Sequence, residues 1–253
     1  MRFSTVLVTG YCDENESDYL DEVANDVAAV RIPGLGRSVS PLKDLGAFFI
    51  LIKEIKRFKP DVIHTHTAKA GVLGRLAAIL AGRSAKRVHT FHGHLLHGYF
   101  SGWKVKLVIA IEKFLAKRTD ILVAVGNQVK SDLLEAGIGK DDQYRVFYPG
   151  LVEPAKVSKE KARQQFDMAS GDIYVAYVGR MTAIKRPDRL LNTAAEIKAR
   201  NLPVKFIIAG EGDLFEATKR DSERRDLPVR FLGWRKDIGA LFAASDIAIL
   251  TSD

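Results

Sequence analysis

Two pairs of histidines stand where strand-like segments end. His64 and His66 lie within Val62-Ile63-His64-Thr65-His66, and His92 and His94 follow Val88-His89-Thr90-Phe91. Side chains two apart on a strand share a face, so each pair sets two imidazoles side by side. Such a pair can ligate a metal, make structural hydrogen bonds, or handle a proton at a substrate rim. No carboxylate or cysteine sits at a spacing that completes a metal set. His92 is the preferred candidate, because it follows strand residues directly and precedes Gly93, where a ligand or backbone can come close. A second constellation is Gly179-Arg180-Met181-Thr182-Ala183-Ile184-Lys185-Arg186, ahead of Pro187. A glycine turn, an Arg fork, a Lys point charge and a helix opened by proline suit a diphosphate. The alternative is two solvated cations on a loop. Gly210 and Gly212 in Ala209-Gly210-Glu211-Gly212, and Gly233 in Phe231-Leu232-Gly233-Trp234, repeat the strand-then-glycine pattern. Alone these glycines are weak signals, since any strand-to-helix turn can use them. Gly34-Leu35-Gly36 lacks the third glycine of a dinucleotide fingerprint and is set aside.

The elements that must position these residues alternate along the chain. Short β-branched runs are predicted as strands at 5–9, 27–32, 62–66, 87–91, 121–125 and 145–148, then at 174–178, 205–209, 230–232 and 247–251. Helical periods fill 41–58, 69–81, 103–118, 128–136, 159–166, 187–200, 214–224 and 238–243. Strand and helix in alternation make a parallel α/β sheet, and ligands of such sheets gather at the carboxyl ends of the strands. Pro149-Gly150-Leu151-Val152-Glu153-Pro154 breaks the rhythm, which predicts two Rossmann-like lobes, 1–152 and 153–253, the second incomplete. Met1 runs almost at once into Val6-Leu7-Val8-Thr9-Gly10 and an acidic loop from Asp13 to Asp21, and the chain stops at Asp253 just after a strand. Both features lead to the expectation of a fragment that lacks its first strand and part of its second lobe.

Composition narrows the function. The 253 residues are 47% hydrophobic and 28% charged, enough apolar matter for globular cores. A single cysteine, Cys12, excludes an internal disulfide framework and multi-cysteine zinc sites. Without a long apolar run or a leader, the chain is expected to be cytoplasmic. The net charge of +8 invites anionic partners, yet Lys and Arg are scattered among Glu and Asp, so nucleic acid is not expected. One segment, Trp103–Arg118, combines Trp103, Leu107, Ile109 and Phe114 with Lys104, Lys106, Lys113, Lys117 and Arg118, a composition that suits either a membrane interface or an ordinary basic helix face.

Taken in order, Pro60-Asp61-Val62-Ile63-His64-Thr65-His66, Lys69-Ala70-Gly71, Gly74-Arg75 and Val88-His89-Thr90-Phe91-His92-Gly93-His94 resemble the first lobe of glycosyltransferase family 4. Tyr177-Val178-Gly179-Arg180, Lys185-Arg186, Ala209-Gly210-Glu211-Gly212 and Phe231-Leu232-Gly233 resemble its nucleotide-binding lobe. The resemblance implies a GT-B architecture and a retaining transfer of sugar from a nucleotide donor, a UDP-sugar, to a glycan or lipid-linked acceptor. It implies no metal and no other cofactor, and peripheral contact with an anionic membrane at its inner face. Arg180 and Lys185 would hold the donor diphosphate and act catalytically with His92. Gly179, Gly210, Gly212 and Gly233 would line the donor site. His66, Lys69, Gly71, His92 and His94 would lie on the acceptor side. The family's first strand with its glycine loop, and its pair of donor-site glutamates, have no counterpart here. Two other readings remain: an isomerase like the UDP-N-acetylglucosamine 2-epimerases, and a non-catalytic sugar-nucleotide-binding fragment.

Overall fold

The computed structural model describes residues 3–12, 20, 28–36, 38–82, 84–93, 102–150 and 157–252. The chain divides into two compact units, Met1–Gly150 and Leu151–Asp253. His94, most of the acidic segment and residues 151–154 of the proline-flanked stretch lie outside the described residues.

In the first unit, β1 (Leu7–Thr9) and β2 (Ala29–Arg31) form a two-stranded parallel ladder. A separate four-stranded parallel sheet runs β3 (Val62–His66), β4 (Lys86–Phe91), β5 (Ile121–Ala124) and β6 (Tyr144–Val146). The helices between them are α1 (Pro41–Phe58), α2 (Ala68–Leu80), α3 (Trp103–Ala116) and α4 (Asn127–Glu135). Helix α1 shows why these segments fold as they do. Pro41 presets the first turn, Ser40 N–H donates to the Asp44 carboxylate at 3.2 Å, and Lys59 closes the helix in the left-handed region with its N–H on Ile55 O. Ala47, Leu51 and Ile55, spaced by four, bury one face against Ala77 and Ala78 of α2. Val8, Val30 and Ile63 pack against the same cluster, so both ladders share one apolar core.

One polar contact crosses the helix layer. Arg75 of α2 and Glu112 of α3 are each 1% exposed, and one guanidinium nitrogen lies 2.7 Å from both carboxylate oxygens. Arg75 Nε also donates to Gly71 O at 2.9 Å. Burial pushes the Glu112 carboxyl up and the adjacent guanidinium pulls it back.

The second unit holds α5 (Lys159–Gln165), β7 (Ile173–Val178), α6 (Pro187–Ala199), β8 (Val204–Ala209), α7 (Phe215–Arg224), β9 (Val229–Gly233), α8 (Ile238–Ala244) and β10 (Ile247–Ala248). The sheet is parallel in the order β10-β7-β8-β9, with β7 and β8 buried along nearly their whole length. Near-continuous apolar runs such as Tyr174-Val175-Ala176-Tyr177 are what a strand covered on both faces requires. The predicted strand 247–251 shrinks to two residues. Ile249 N–H still reaches Ala176 O, but beyond it Leu250 is 77% exposed and Thr251 turns its hydroxyl onto Lys185 O. The predicted 145–148 likewise ends at Val146 and begins one residue early, at Tyr144.

Candidate functional site

At the carboxyl rim of the second sheet, three loops are laced by main-chain hydrogen bonds. Gly179 N–H reaches Ala209 O at 3.0 Å, Met181 N–H reaches Glu211 O at 2.9 Å, and Gly210 N–H reaches Gly233 O at 2.7 Å. The glycines are there because the loops touch. Gly210 has φ 129° and a Cβ on it would collide with the Gly179 carbonyl; Gly212 has φ 154° and its Cβ would stand 2.5 Å from Met181 O. The Glu211 carboxylate accepts from Trp234 N–H at 3.3 Å, tying the second loop to the third. A fourth segment joins where Thr251 donates to Lys185 O at 2.7 Å.

This scaffold presents Arg180, exposed on the first loop, and Lys185, half-buried in the 3-10 turn Ala183–Lys185 just before α6. Among the described residues neither side chain has an ion-pair partner or a hydrogen bond. Their neighbour Arg186 contrasts with them, being bound in fork geometry to Asp188 at 2.9 and 2.7 Å. Two unneutralised cations beside packed backbone turns form a rim suited to an anion. Glu211 and Thr251 were not anticipated as part of this rim. The place of Glu211 between two glycines was the available signal; nothing local marks Thr251.

In the first unit, the carboxyl ends of β3 and β4 bring three of the expected histidines together. His66 Nδ1 and His92 Nε2 are 2.8 Å apart, one ring nitrogen donating and the other accepting. His64 stacks on His66 with ring centroids at 4.3 Å, and its Nε2 meets Thr90 Oγ1 at 2.7 Å. Burial, then the neighbouring His64 and His92, hold the His66 imidazole down to about 4; burial and His92 lower His64 as well. His64 and His66 are thus held toward the neutral form, and the His66–His92 hydrogen bond joins the ends of the two strands. Among the described residues no group of three or more His, Cys, Asp or Glu is placed to hold a metal ion.

Two residues expected on the acceptor side are engaged elsewhere. Lys69 gives its ammonium to Gly34 O at 2.6 Å, Ser38 O at 2.5 Å and the Asp44 carboxylate at 2.5 Å, so it pins the 34–38 loop to α1. Gly71 packs on the opposite face of the sheet, where a Cβ would strike the imidazole of buried His89. The set-aside Gly34-Leu35-Gly36 belongs to the same clamp: Gly34 has φ 87° and a Cβ there would lie 2.5 Å from Lys43 O.

Parallel Rossmann-like sheets with helical crossovers and functional loops at their carboxyl rims define the GT-B class of fold. Solved structures share it: Anabaena HepE in complex with UDP and glucose superposes with a TM-score of 0.74 at 23% identity, covering 92% of this chain and 62% of that one. Sucrose-phosphate synthase from Thermosynechococcus elongatus gives 0.74 at 17% identity, covering 98% and 65%. The chain belongs to Glycosyltransferase Family 4, whose model matches residues 4–152, while the model Glycosyl transferases group 1 matches residues 158–253. An Escherichia coli relative, UDP-Gal:alpha-D-GlcNAc-diphosphoundecaprenol alpha-1,3-galactosyltransferase, is 32% identical over 93% of this chain and 62% of its own length. The chain thus spans about three-fifths of the length of such relatives.

Proposed function

We propose that this chain carries the nucleotide-sugar half-site and the acceptor-side lobe of a retaining glycosyltransferase. In this reading the enzyme moves a sugar from a UDP-sugar to a hydroxyl on a glycan or lipid-linked acceptor in cell-surface polysaccharide synthesis, from the cytoplasmic side of a membrane. The carrying observation is the pair of cations, Arg180 and Lys185, that have no ion-pair partner among the described residues, at a rim built from three interlocked loops. A diphosphate leaving group gains charge as the glycosidic bond breaks, and fixed cations stabilise that gain. The reading uses no metal, since the two side chains supply the charge. The rim of His66 and His92 serves the other side of the transfer, where a proton must leave the attacking hydroxyl.

UDP binding measured by calorimetry tests the donor site without needing an acceptor. Removing one charge-assisted contact costs ~1.5–3 kcal/mol, so Arg180→Ala and Lys185→Ala should each weaken UDP about tenfold or more while leaving thermal unfolding unchanged. UDP affinity equal to that of the parent chain in both variants would remove the assignment.

A further inference from the structure

The backbone of Lys185 is held on both sides while its side chain is left open. Its N–H closes the 3-10 turn on Thr182 O at 2.9 Å, and its carbonyl accepts the Thr251 hydroxyl at 2.7 Å. Its ammonium has no ion-pair partner or hydrogen bond among the described residues. Thr251 comes from a stretch 66 residues further on. Ile249 N–H donates to Ala176 O at 2.9 Å, so the chain after β10 still runs beside β7 and brings Thr251, 8% exposed, against the turn. Arg189, in the first turn of α6, donates to the Thr251 carbonyl at 3.4 Å. Thr251 is therefore tied at once to the helix and to the turn that precedes it.

Arg186 shows how tightly this junction is specified. It joins the 3-10 turn to α6 in the left-handed region, at φ 50° and ψ 57°, where a residue with a Cβ is disfavoured. Such a conformation persists only where its surroundings over-determine it. The Asp188 carboxylate holds the Arg186 guanidinium from the helix side, and the Thr251 hydroxyl holds the Lys185–Arg186 peptide through its oxygen. The other rim cation is braced differently. The Arg180 carbonyl accepts Thr182 N–H at 3.1 Å and the Tyr177 hydroxyl at 3.4 Å, both from its own loop or the strand leading into it. A lysine is a point charge on a flexible stem, so the peptide plane at its root decides which space the ammonium samples. A group misplaced by about 1 Å loses much of its effect. We propose that Thr251 is a positioning residue for Lys185: its hydroxyl fixes the Lys185–Arg186 peptide and so aims the ammonium at the anion the rim takes. This deepens the donor-site reading and rests on it for the class of that anion, a nucleoside diphosphate.

A double-mutant cycle read by calorimetric UDP titration separates aiming from general stabilisation. Thr251→Val keeps the branched shape and removes the hydroxyl. It should weaken UDP about threefold to tenfold, the scale of one neutral hydrogen bond. In a Lys185→Ala background the same substitution should cost less than about twofold, because no ammonium is left to aim. In an Arg180→Ala background the loss should persist at about threefold to tenfold. Thr251→Ser retains the hydroxyl and should bind UDP within about twofold of the parent chain. Thermal unfolding shows that each variant is folded at the titration temperature. Equal losses in the parent and Lys185→Ala backgrounds would mean a general loosening of the rim and would overturn the proposal, as would a loss that also vanishes in the Arg180→Ala background. It falls too if serine binds as weakly as valine, or if valine binds as well as the parent while Lys185→Ala binds weakly; the donor reading survives both results. UDP affinity unchanged by Lys185→Ala removes the Lys185 part of the donor reading and the proposal with it.

Discussion

Single atoms decide the rim of the second sheet. Gly210 holds φ 129° against the Gly179 carbonyl, and no L side chain tolerates both the angle and the neighbour. Gly210→Ala should therefore destabilise the second unit by ~1–3 kcal/mol, the scale of a residue forced into such backbone, and weaken UDP by moving the Arg180 loop. Urea unfolding paired with UDP titration checks it, and an unperturbed variant would mean the loops are not locked together as described. Gly179 differs: the nearest atoms to a Cβ there belong to the Tyr177 side chain, the hydroxyl first at 3.4 Å, an ordinary contact. Alanine at Gly179 should be tolerated where alanine at Gly210 is not. On the other lobe, the Lys69 ammonium is already met by two carbonyls and the Asp44 carboxylate.

Helices α2 and α3 depend on each other through one ion pair. Arg75 and Glu112 sit where water cannot reach, so removing one partner leaves a charge with nothing to answer it. Glu112→Gln should destabilise the first unit by ~3–5 kcal/mol, read as a lowered urea midpoint. The joint replacement Arg75→Met with Glu112→Leu should recover most of that loss, because the cost lies in the orphaned charge. A single substitution with no effect would show that the pair is not sealed. The same contact fixes the roll of α3, turning Glu112 inward and Trp103, Leu107 and Phe114 outward. At the far end of the chain, β10 shows the reverse case, a strand in which Ile247 is 53% exposed and only two residues pair with β7.

For the molecule as a whole, the first unit should respond to acid through its histidines. Burial, with Arg75 and His66 adding to it, holds His89 down to about 2, and His66 stands at about 4 against an ordinary 6.5. In the unfolded chain these rings take protons as the pH falls through 6.5, while in the fold they stay neutral. Their contribution is complete above that value and is lost progressively below it, at up to ~1.4 kcal/mol per pH unit for buried His89 and less for exposed His66, where solvent screens the effect. Urea midpoints followed from about pH 7 to about pH 5 should fall, and His66→Asn should make the fall shallower. A flat profile would overturn the neutral cluster. The alternation of β-branched runs and helical periods was enough to read nearly all of the elements, because each period is a local property of the chain. Their ends moved by a residue or a few, as at β6 and β10, where pairing partners rather than composition set the limit.

The sequence by itself determined the fold class, the family and the rim on which chemistry should sit, since hydrophobic period and strand-then-glycine order survive in one dimension. It also named His66, His92, Arg180 and Lys185. Only the tertiary structure decided which of the named cations are already paired among the described residues. Lys69 and Lys185 read alike as loop-proximal cations, yet one is saturated by Gly34, Ser38 and Asp44 while the other has no side-chain partner among the described residues. Arg75, the one charge in an otherwise apolar stretch of α2, gave a local hint of a buried partner, but nothing local identified Glu112, 37 residues on, as that partner. The physical reason is the same throughout: a charge's role is set by what neutralises it, and its neutralising group is brought near by folding, not by sequence neighbours.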